Sequence, residues 1–176
     1  YKIKTPFSKF PSWSRRYFRN KFWAKILNTH LTRKEYDLII TQSVLTPSSV
    51  SIAKKHGLRT LVFIRSYEHF CLSHLRDVNE AKKHNCLKYA SWKYRIQYPF
   101  FKKLIKWHEH ALRNADFLLS NSKFMQNIVK KWYGIGSEVI YPFIKLKDYI
   151  AERRSEKYIT MIRPEERKGV DIFIKI

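Results

Sequence analysis

Several features are scarce or missing in this chain of 176 residues, and each limits what the protein can be. It has two cysteines, Cys71 and Cys86, which is too few for a scaffold held together by disulfides. It has no apolar run near the roughly 18 residues that a membrane-spanning helix needs. It also lacks internal repeats and low-complexity tracts. The sequence therefore predicts a globular protein with a hydrophobic core.

Acidic residues are also scarce. The chain has 14 Asp and Glu against 36 Lys and Arg, which gives a formal net charge of +22. Such an excess raises the local concentration of anions, so nucleic acid, anionic lipid and phosphorylated small molecules are all candidate partners. Charge alone does not choose among them, because solvated basic faces produce the same composition.

The apolar content is sufficient for a real core. Hydrophobic residues make up 44% of the chain and aromatic residues 16%. A chain of this length corresponds to one domain, or to one domain and part of another. The start, Tyr1 to Lys4, has no initiator methionine and no apolar leader, and the end at Ile176 interrupts a helix-like pattern. We therefore expect an internal fragment of a longer protein.

Apolar runs and helical periodicities alternate along the chain. The runs that predict buried strands are residues 36–41, 61–64, 115–120, 138–141 and 158–162. The predicted helices are residues 13–31, 47–56, 101–112 and 123–132, with Thr46 as an N-cap and Gly57 and Gly134 as end signals. Residues 65–98 have a weaker pattern and predict a loop with some helix. Strands alternating with helices predict an α/β fold with an open, mostly parallel sheet.

In an open parallel sheet, ligands bind beyond the carboxyl ends of the strands. The residues that follow the predicted strands are therefore the first candidates for a site. They are Gln42 and Ser43, residues 65–69, Asn121 with Ser122, and residues 163–169.

Three segments of the chain carry a resemblance to a known family. In chain order, they are residues 115–124 (A-D-F-L-L-S-N-S-K-F), residues 133–142 (Y-G-I-G-S-E-V-I-Y-P) and residues 163–171 (R-P-E-E-R-K-G-V-D). They resemble segments of retaining GT-B glycosyltransferases of the glycogen-synthase-like kind. The resemblance implies an acceptor-side Rossmann-like domain at 1–144, a linker at 145–157, and the first strand and helix of a donor-binding domain at 158–176.

The same resemblance implies where the donor binds. Arg163, Lys168 and Gly169 match the element that holds the diphosphate of a nucleotide sugar. Arginine and lysine suit this task, because negative charge accumulates on the diphosphate as the glycosidic bond breaks. Ile162 stands where the family usually has glycine, and the family's pair of glutamates spaced eight apart is not in this chain.

The catalytic candidates follow the second predicted strand. Arg65, Glu68 and His69 can orient an acceptor hydroxyl or accept its proton, or they can be ordinary loop residues. We expect the cleft at the carboxyl ends of the strands to be lined by Gln42, Ser43, Asn121 and Ser122. Asn121 and Ser122 also suit a purely structural role as helix caps.

The implied partners are a nucleotide-sugar donor and a glycan or lipid-linked acceptor, with no specific nucleic acid. We expect no cofactor and no metal, because the His-x-Cys pairs at 69–71 and 84–86 lack the usual zinc spacing. We expect a cytoplasmic protein, peripheral at the inner membrane face. The basic aromatic helices at 13–31 and 100–113 either pack on the sheet or dock on an anionic membrane, where Phe100, Phe101, Lys102, Lys103, Lys106 and Trp107 are the candidate contacts.

An alternative of a different class remains at this point. A non-enzymatic module that binds nucleic acid or an anionic membrane would also have a charge of +22 and interleaved aromatic residues. Loss of binding to single-stranded nucleic acid at about 0.15 M salt would mark such binding as generic electrostatics. If the chain is a fragment cut at both ends, we expect no sugar transfer by the fragment alone.

Overall fold

The computed structural model describes Lys9, residues 11–32, 36–66 and 92–143, Lys145 and Ile174. The chain divides into two compact units, Tyr1–Tyr141 and Pro142–Ile176. All the helices and strands given below lie in the first unit. The predicted linker at 145–157 and the predicted fifth strand at 158–162 fall almost wholly outside the described residues, so the domain boundaries stay predictions.

Helices and strands alternate along the described part of the first unit. The α-helices are α1 (Ser12–Leu31), α2 (Thr46–Lys55), α3 (Trp92–Ile96), α4 (Tyr98–Asn114) and α5 (Lys123–Tyr133). The strands are β1 (Leu38–Gln42), β2 (Arg59–Ile64), β3 (Phe117–Ser120) and β4 (Glu138–Val139). A 3-10 helix, Ser43–Leu45, joins β1 to α2.

The four strands form one parallel sheet, and their spatial order follows the chain: β1, β2, β3, β4. Ile40 pairs with Leu61, and Leu61 pairs in turn with Phe117. Ser120 pairs with Val139 at the last position of β3. The predicted α/β class with an open parallel sheet is confirmed.

One face of the sheet is covered by helices and forms the core. Val62 and Ile64 of β2 are fully buried, and they pack with Leu118 of β3 and with apolar residues of α2, α4 and α5. Each buried aliphatic side chain of this size contributes about 1.5–3 kcal/mol relative to an exposed one. Alternation along the strands places these residues on a single side.

The opposite face of the sheet carries apolar side chains that stay exposed among the described residues. Ile40 is 69% exposed, Phe117 is 51% exposed and Leu38 is 41% exposed. Parallel strands are usually buried on both faces, so an apolar residue at nearly every strand position is the expected composition. The strands of this protein have that composition. Among the described residues, however, helices cover only one face of the sheet.

The helix α4 has the face that its periodicity predicts. Its buried residues recur at spacings of three and four, as on one side of a helix. They are Phe101, Leu104, Ile105, His108, Ala111 and Leu112. Gly57 and Gly134 follow the ends of α2 and α5 with φ angles of +69° and +67°. This left-handed conformation is the one that favours glycine after a helix, and it confirms both end signals.

The start of α2 differs from the expectation. Thr46 is not an N-cap, because its backbone is helical (φ −50°, ψ −46°) and its side chain is buried. The helix is instead entered through the 3-10 helix. Ser43, with φ +58°, makes the sharp turn out of β1 that allows this entry. No helix in the described part of the chain is both long and apolar enough to cross a membrane.

Candidate functional site

Polar side chains from neighbouring strands meet at the carboxyl edge of the sheet. The guanidinium Nη1 of Arg65, just after β2, donates to Oε1 of Gln42, the last residue of β1, at 3.3 Å. The amide Nδ2 of Asn121, just after β3, donates to the main-chain oxygen of Arg65 at 3.0 Å. Three of the residues predicted from the sequence are therefore joined in one cluster, which we call the edge cluster.

Backbone pairing fixes the position of the edge cluster. The amide N–H of Asn121 donates to the carbonyl of Ile64 at 3.1 Å, and that of Ile140 donates to the carbonyl of Ser120 at 2.9 Å. The backbone pairing thus continues to Asn121, one residue beyond β3, and to Ile140, one residue beyond β4. Arg65 and Asn121 are held by the sheet itself, while the Arg65 side chain stays exposed at the surface.

Ser122 has a structural position in this arrangement. Its backbone is extended, and its Oγ accepts a hydrogen bond from the amide of Met125 at 3.3 Å, so it is the N-cap of α5. The same hydroxyl donates to Oδ1 of Asn121 at 3.3 Å. The prediction that Ser122 caps a helix is confirmed, and the N-terminus of α5 starts beside the edge cluster.

Ser43 contributes strain to the edge. A serine with a φ of +58° is in the left-handed region, which costs a non-glycine residue about 1–2 kcal/mol. The residue is half-buried and directly follows Gln42. The turn carries the chain from the end of β1 into the 3-10 helix.

Three residues that brace the edge were missed from the sequence. The hydroxyl oxygens of Ser120 and Ser137 are 2.8 Å apart, and Nε2 of Gln126 donates to the carbonyl of Ser137. These contacts tie α5 and the segment before β4 to the end of β3. No local sequence signal identifies them, since the partners are 11 and 17 residues apart.

The acidic residue of the segment 115–124 lies at the other edge of the sheet. Asp116 Oδ2 accepts hydrogen bonds from the amide and the hydroxyl of Thr60, at 2.7 and 2.9 Å, and Oδ1 is 2.6 Å from Nζ of Lys54. The hydrogen bonds from Lys54 and Thr60 lower the pKa of Asp116 to about 2. Asp116 therefore joins α2, β2 and β3 and is not part of the edge cluster.

A groove of about 750 Å³ lies along β1 and the exposed face of the sheet. Its lining is mostly apolar, with Trp23 and Leu27 of α1 on one side and Ile40 and Phe63 on the other. Gln42 is also part of the lining, so the groove reaches the edge cluster. No Lys, Arg, Asp or Glu is among the described residues that line it, so those residues supply none of the cations that a diphosphate requires.

The remaining predicted site residues lie outside the described residues. These are Glu68 and His69 of the catalytic set, and Arg163, Lys168 and Gly169 of the diphosphate set. The two His-x-Cys pairs also lie there. Within the described ranges, no cluster of three or more metal-ligating side chains occurs.

Comparison with known proteins gives a family match. The model of the family described as Glycosyltransferase Family 4 matches residues 2–148, which is most of the chain. No curated protein and no solved structure is a significant match.

Proposed function

The chain belongs to glycosyltransferase family 4, and from that premise we propose that it transfers a sugar from a nucleotide-sugar donor to a hydroxyl of a glycan or lipid-linked acceptor. Membership supports a glycosyltransferase domain of the GT-B type, and the parallel α/β sheet agrees with it. Retention of the anomeric configuration, as in the glycogen-synthase-like subtype, is part of the proposal and rests on the sequence resemblance.

The observation that carries the proposal is the edge cluster. Polar groups from β1, β2 and β3 meet at the edge where parallel α/β sheets bind ligands, and Arg65 supplies an exposed cation there. Gln42 holds the guanidinium of Arg65 and Asn121 holds its backbone. We assign Arg65 to the acceptor or the departing phosphate, with Gln42 and Asn121 as positioning residues.

The donor end of the site is assigned from the sequence pattern. Arg163, Lys168 and the Gly169 backbone are proposed to hold the diphosphate, because fixed cations stabilise the negative charge that develops as the leaving group departs. Glu68 and His69 are proposed to face the acceptor hydroxyl, where either can accept its proton. This chemistry requires no metal.

Donor binding by the protein tests this assignment without requiring turnover. Saturation-transfer NMR with a panel of nucleotide sugars should detect binding through the nucleotide and diphosphate. Replacing Arg163 or Lys168 by alanine should weaken it about tenfold or more, since hydrogen bonds to charged groups contribute about 1.5–3 kcal/mol. Binding that is unchanged in both variants would contradict the donor site.

The role of Arg65 has a matched control on the same strand. Arg65 follows β2 at the carboxyl edge, and Arg59 begins β2 at the opposite edge; both side chains are exposed. In the protein, Arg65→Ala should lower the transfer rate by about tenfold or more, whereas Arg59→Ala should leave it near the wild-type rate. Equal effects of the two substitutions would remove Arg65 from the site.

The alternative of a nucleic-acid-binding module is not favoured. It rests on net charge and aromatic content, whereas the family match covers residues 2–148. We place the protein in the cytoplasm, at the inner membrane face, as part of the proposal.

A further inference from the structure

A stripe of exposed residues runs along α3 and α4. The stripe consists of six exposed residues, which follow one another at spacings of four, three, four, three and four. They are Trp92, Ile96, Pro99, Lys103, Lys106 and His110. Gln97, between the two helices, keeps a right-handed helical backbone. Residues at these spacings lie on one side of a helix, so the stripe forms a continuous surface.

From this stripe, together with the basic residues of α1, we propose that α1, α3 and α4 form a docking surface for an anionic lipid bilayer. We call it the basic face. It rests on the proposed placement at the inner membrane face and names the surface responsible, which is made of other residues than the edge cluster.

The structure divides the aromatic and basic residues of α4 into two sets. Phe101 is buried, Phe100 packs on Tyr17 and Phe18 at ring-centroid distances of 5.5 and 5.6 Å, and Nε1 of Trp107 donates to Oγ of Ser51. Of the two alternatives that the sequence left open for these aromatic side chains, these contacts support packing against the rest of the protein. The lysines at 102, 103 and 106 remain exposed on the outer side.

Exposed apolar side chains come from α3 instead. Trp92 is 67% exposed and Ile96 is 68% exposed, and exposed Arg95 lies between them. Tryptophan beside basic residues is typical of surfaces at the boundary between headgroups and acyl chains, where its amphipathic ring is favoured.

The charge of the three helices is strongly one-sided. They contain eleven Lys and Arg and one acidic residue, Glu109. That carboxylate is already paired with Arg113 at 2.9 Å. Lys21 of α1 lies over the rings of Tyr17 and Trp107, so the positive surface continues from α4 onto α1.

The combination favours a bilayer over other polyanions. Lysines alone would serve a nucleic acid or an acidic protein equally well. The exposed Ile96 lies beside them. Moving this apolar side chain out of water lowers the free energy, as in amphipathic helices that lie in the membrane interface. A surface of this kind predicts peripheral docking that depends on anionic lipid.

Co-sedimentation of the 176-residue chain with vesicles tests the proposal. Vesicles of phosphatidylcholine mixed with phosphatidylglycerol should bind the chain, and vesicles of phosphatidylcholine alone should bind it far less. Replacing Lys102, Lys103 and Lys106 together by glutamine should weaken binding about 100-fold, on the basis of about fivefold for each lysine near an anionic surface. Circular dichroism of each variant confirms that it is folded.

Two matched controls separate the basic face from general charge and general apolarity. Lys55, Lys123 and Lys130 are exposed lysines on α2 and α5, and their triple glutamine variant has the same net charge as the first. Ile40 is as exposed as Ile96, at 69% against 68%, but lies on the sheet. We expect Ile96→Ser to weaken binding about fivefold and Ile40→Ser to leave it unchanged.

Three outcomes would overturn the proposal. They are equal binding to anionic and neutral vesicles, equal losses in the two triple variants, and binding to single-stranded nucleic acid in place of vesicles. The assay needs no sugar transfer, so its failure leaves the proposed catalytic function standing, and a failure of donor binding leaves the basic face standing.

Discussion

Asn20 shows how a single polar side chain organises the packing of helices. It is fully buried in α1, its Nδ2 donates to the carbonyls of Arg16 and Val44, and its Oδ1 accepts from the amide and hydroxyl of Ser48. The 2.7 Å bond to Val44 satisfies a carbonyl in the 3-10 helix. One amide therefore joins α1, the 3-10 helix and α2.

Asn20→Ala should destabilise the protein by about 2–3 kcal/mol, because several buried hydrogen-bonding groups lose their partner at once. The check is the free energy of unfolding in urea, measured by circular dichroism. Asn114→Ala is the control, since Asn114 is exposed and donates within its own helix, to the carbonyl of His110. A similar loss in both variants would show that helix propensity, and not the buried network, is responsible.

Asp116 is the residue whose titration should be visible in stability. Its pKa is about 2 in the folded chain, below the value near 3.9 of a free aspartate, so the unfolded state binds protons more readily. The stabilisation is therefore fully present above about pH 4 and is lost as the pH falls towards about 2. Because the carboxylate lies at the surface, we expect at most about 1 kcal/mol.

Asp116→Asn should lower the unfolding free energy at pH 7, and the difference from the wild type should shrink as the pH is lowered through that window. Denaturant titrations at several pH values measure it. Asp37→Asn, at an exposed position before β1, should change stability by no more than about 0.5 kcal/mol. A difference between Asp116→Asn and the wild type that grows on acidification would contradict the assignment.

At the scale of elements, periodicity was the most informative signal. The buried face of α4 follows directly from the spacing of residues 101 to 112, and α5 begins and ends at the predicted cap and glycine. Strand existence was also predictable from apolar runs. The strand ends were not, because β4 is held at Glu138–Val139 by its pairing with β3 and not by its own apolar residues.

The edge cluster was predictable in outline and not in detail. Parallel topology alone brings Gln42, Arg65 and Asn121 to one edge. The hydrogen bond from Arg65 to Gln42 depends on the register between β1 and β2. The left-handed backbone at Ser43 could not be predicted, because serine does not favour that conformation. Contacts between distant residues, such as Ser120 with Ser137 or Asn20 with Ser48, cannot be derived from local patterns.

The end of α5 offers a test that isolates backbone conformation. Gly134 has a φ of +67° and Gly136 has no positive φ, and an added Cβ would meet no atom within 4 Å at either position. Gly134→Ala should therefore cost about 1 kcal/mol or more, purely from the left-handed backbone.

Gly136→Ala should be neutral or slightly stabilising, because it restricts the unfolded chain. Thermal unfolding of both variants gives the comparison. If Gly134→Ala had no effect, the left-handed end of α5 would not contribute to its stability.

At the scale of the whole molecule, charge dominates. A net charge of +22 on 176 residues destabilises the compact state by self-repulsion. Raising NaCl from about 0.01 M to about 0.15 M shortens the screening length from roughly 30 Å to roughly 8 Å. The melting temperature should therefore rise over this range, as scanning calorimetry can measure.

The choice of anion provides the control. If screening alone is responsible, chloride and fluoride at equal ionic strength should raise the melting temperature equally. A much larger effect of sulfate would instead indicate anion binding or exclusion. A fall in melting temperature with added salt would show that favourable ion pairs outweigh the repulsion.

The left-handed serine at position 43 also limits which substitutions selection can accept. In a library randomised at that codon, glycine, asparagine and aspartate should be recovered most often among folded clones, because these residues tolerate a φ near +58°. Valine and isoleucine should be depleted. The turn that joins the end of β1 to α2 therefore restricts which residue types can replace Ser43 beside the edge cluster.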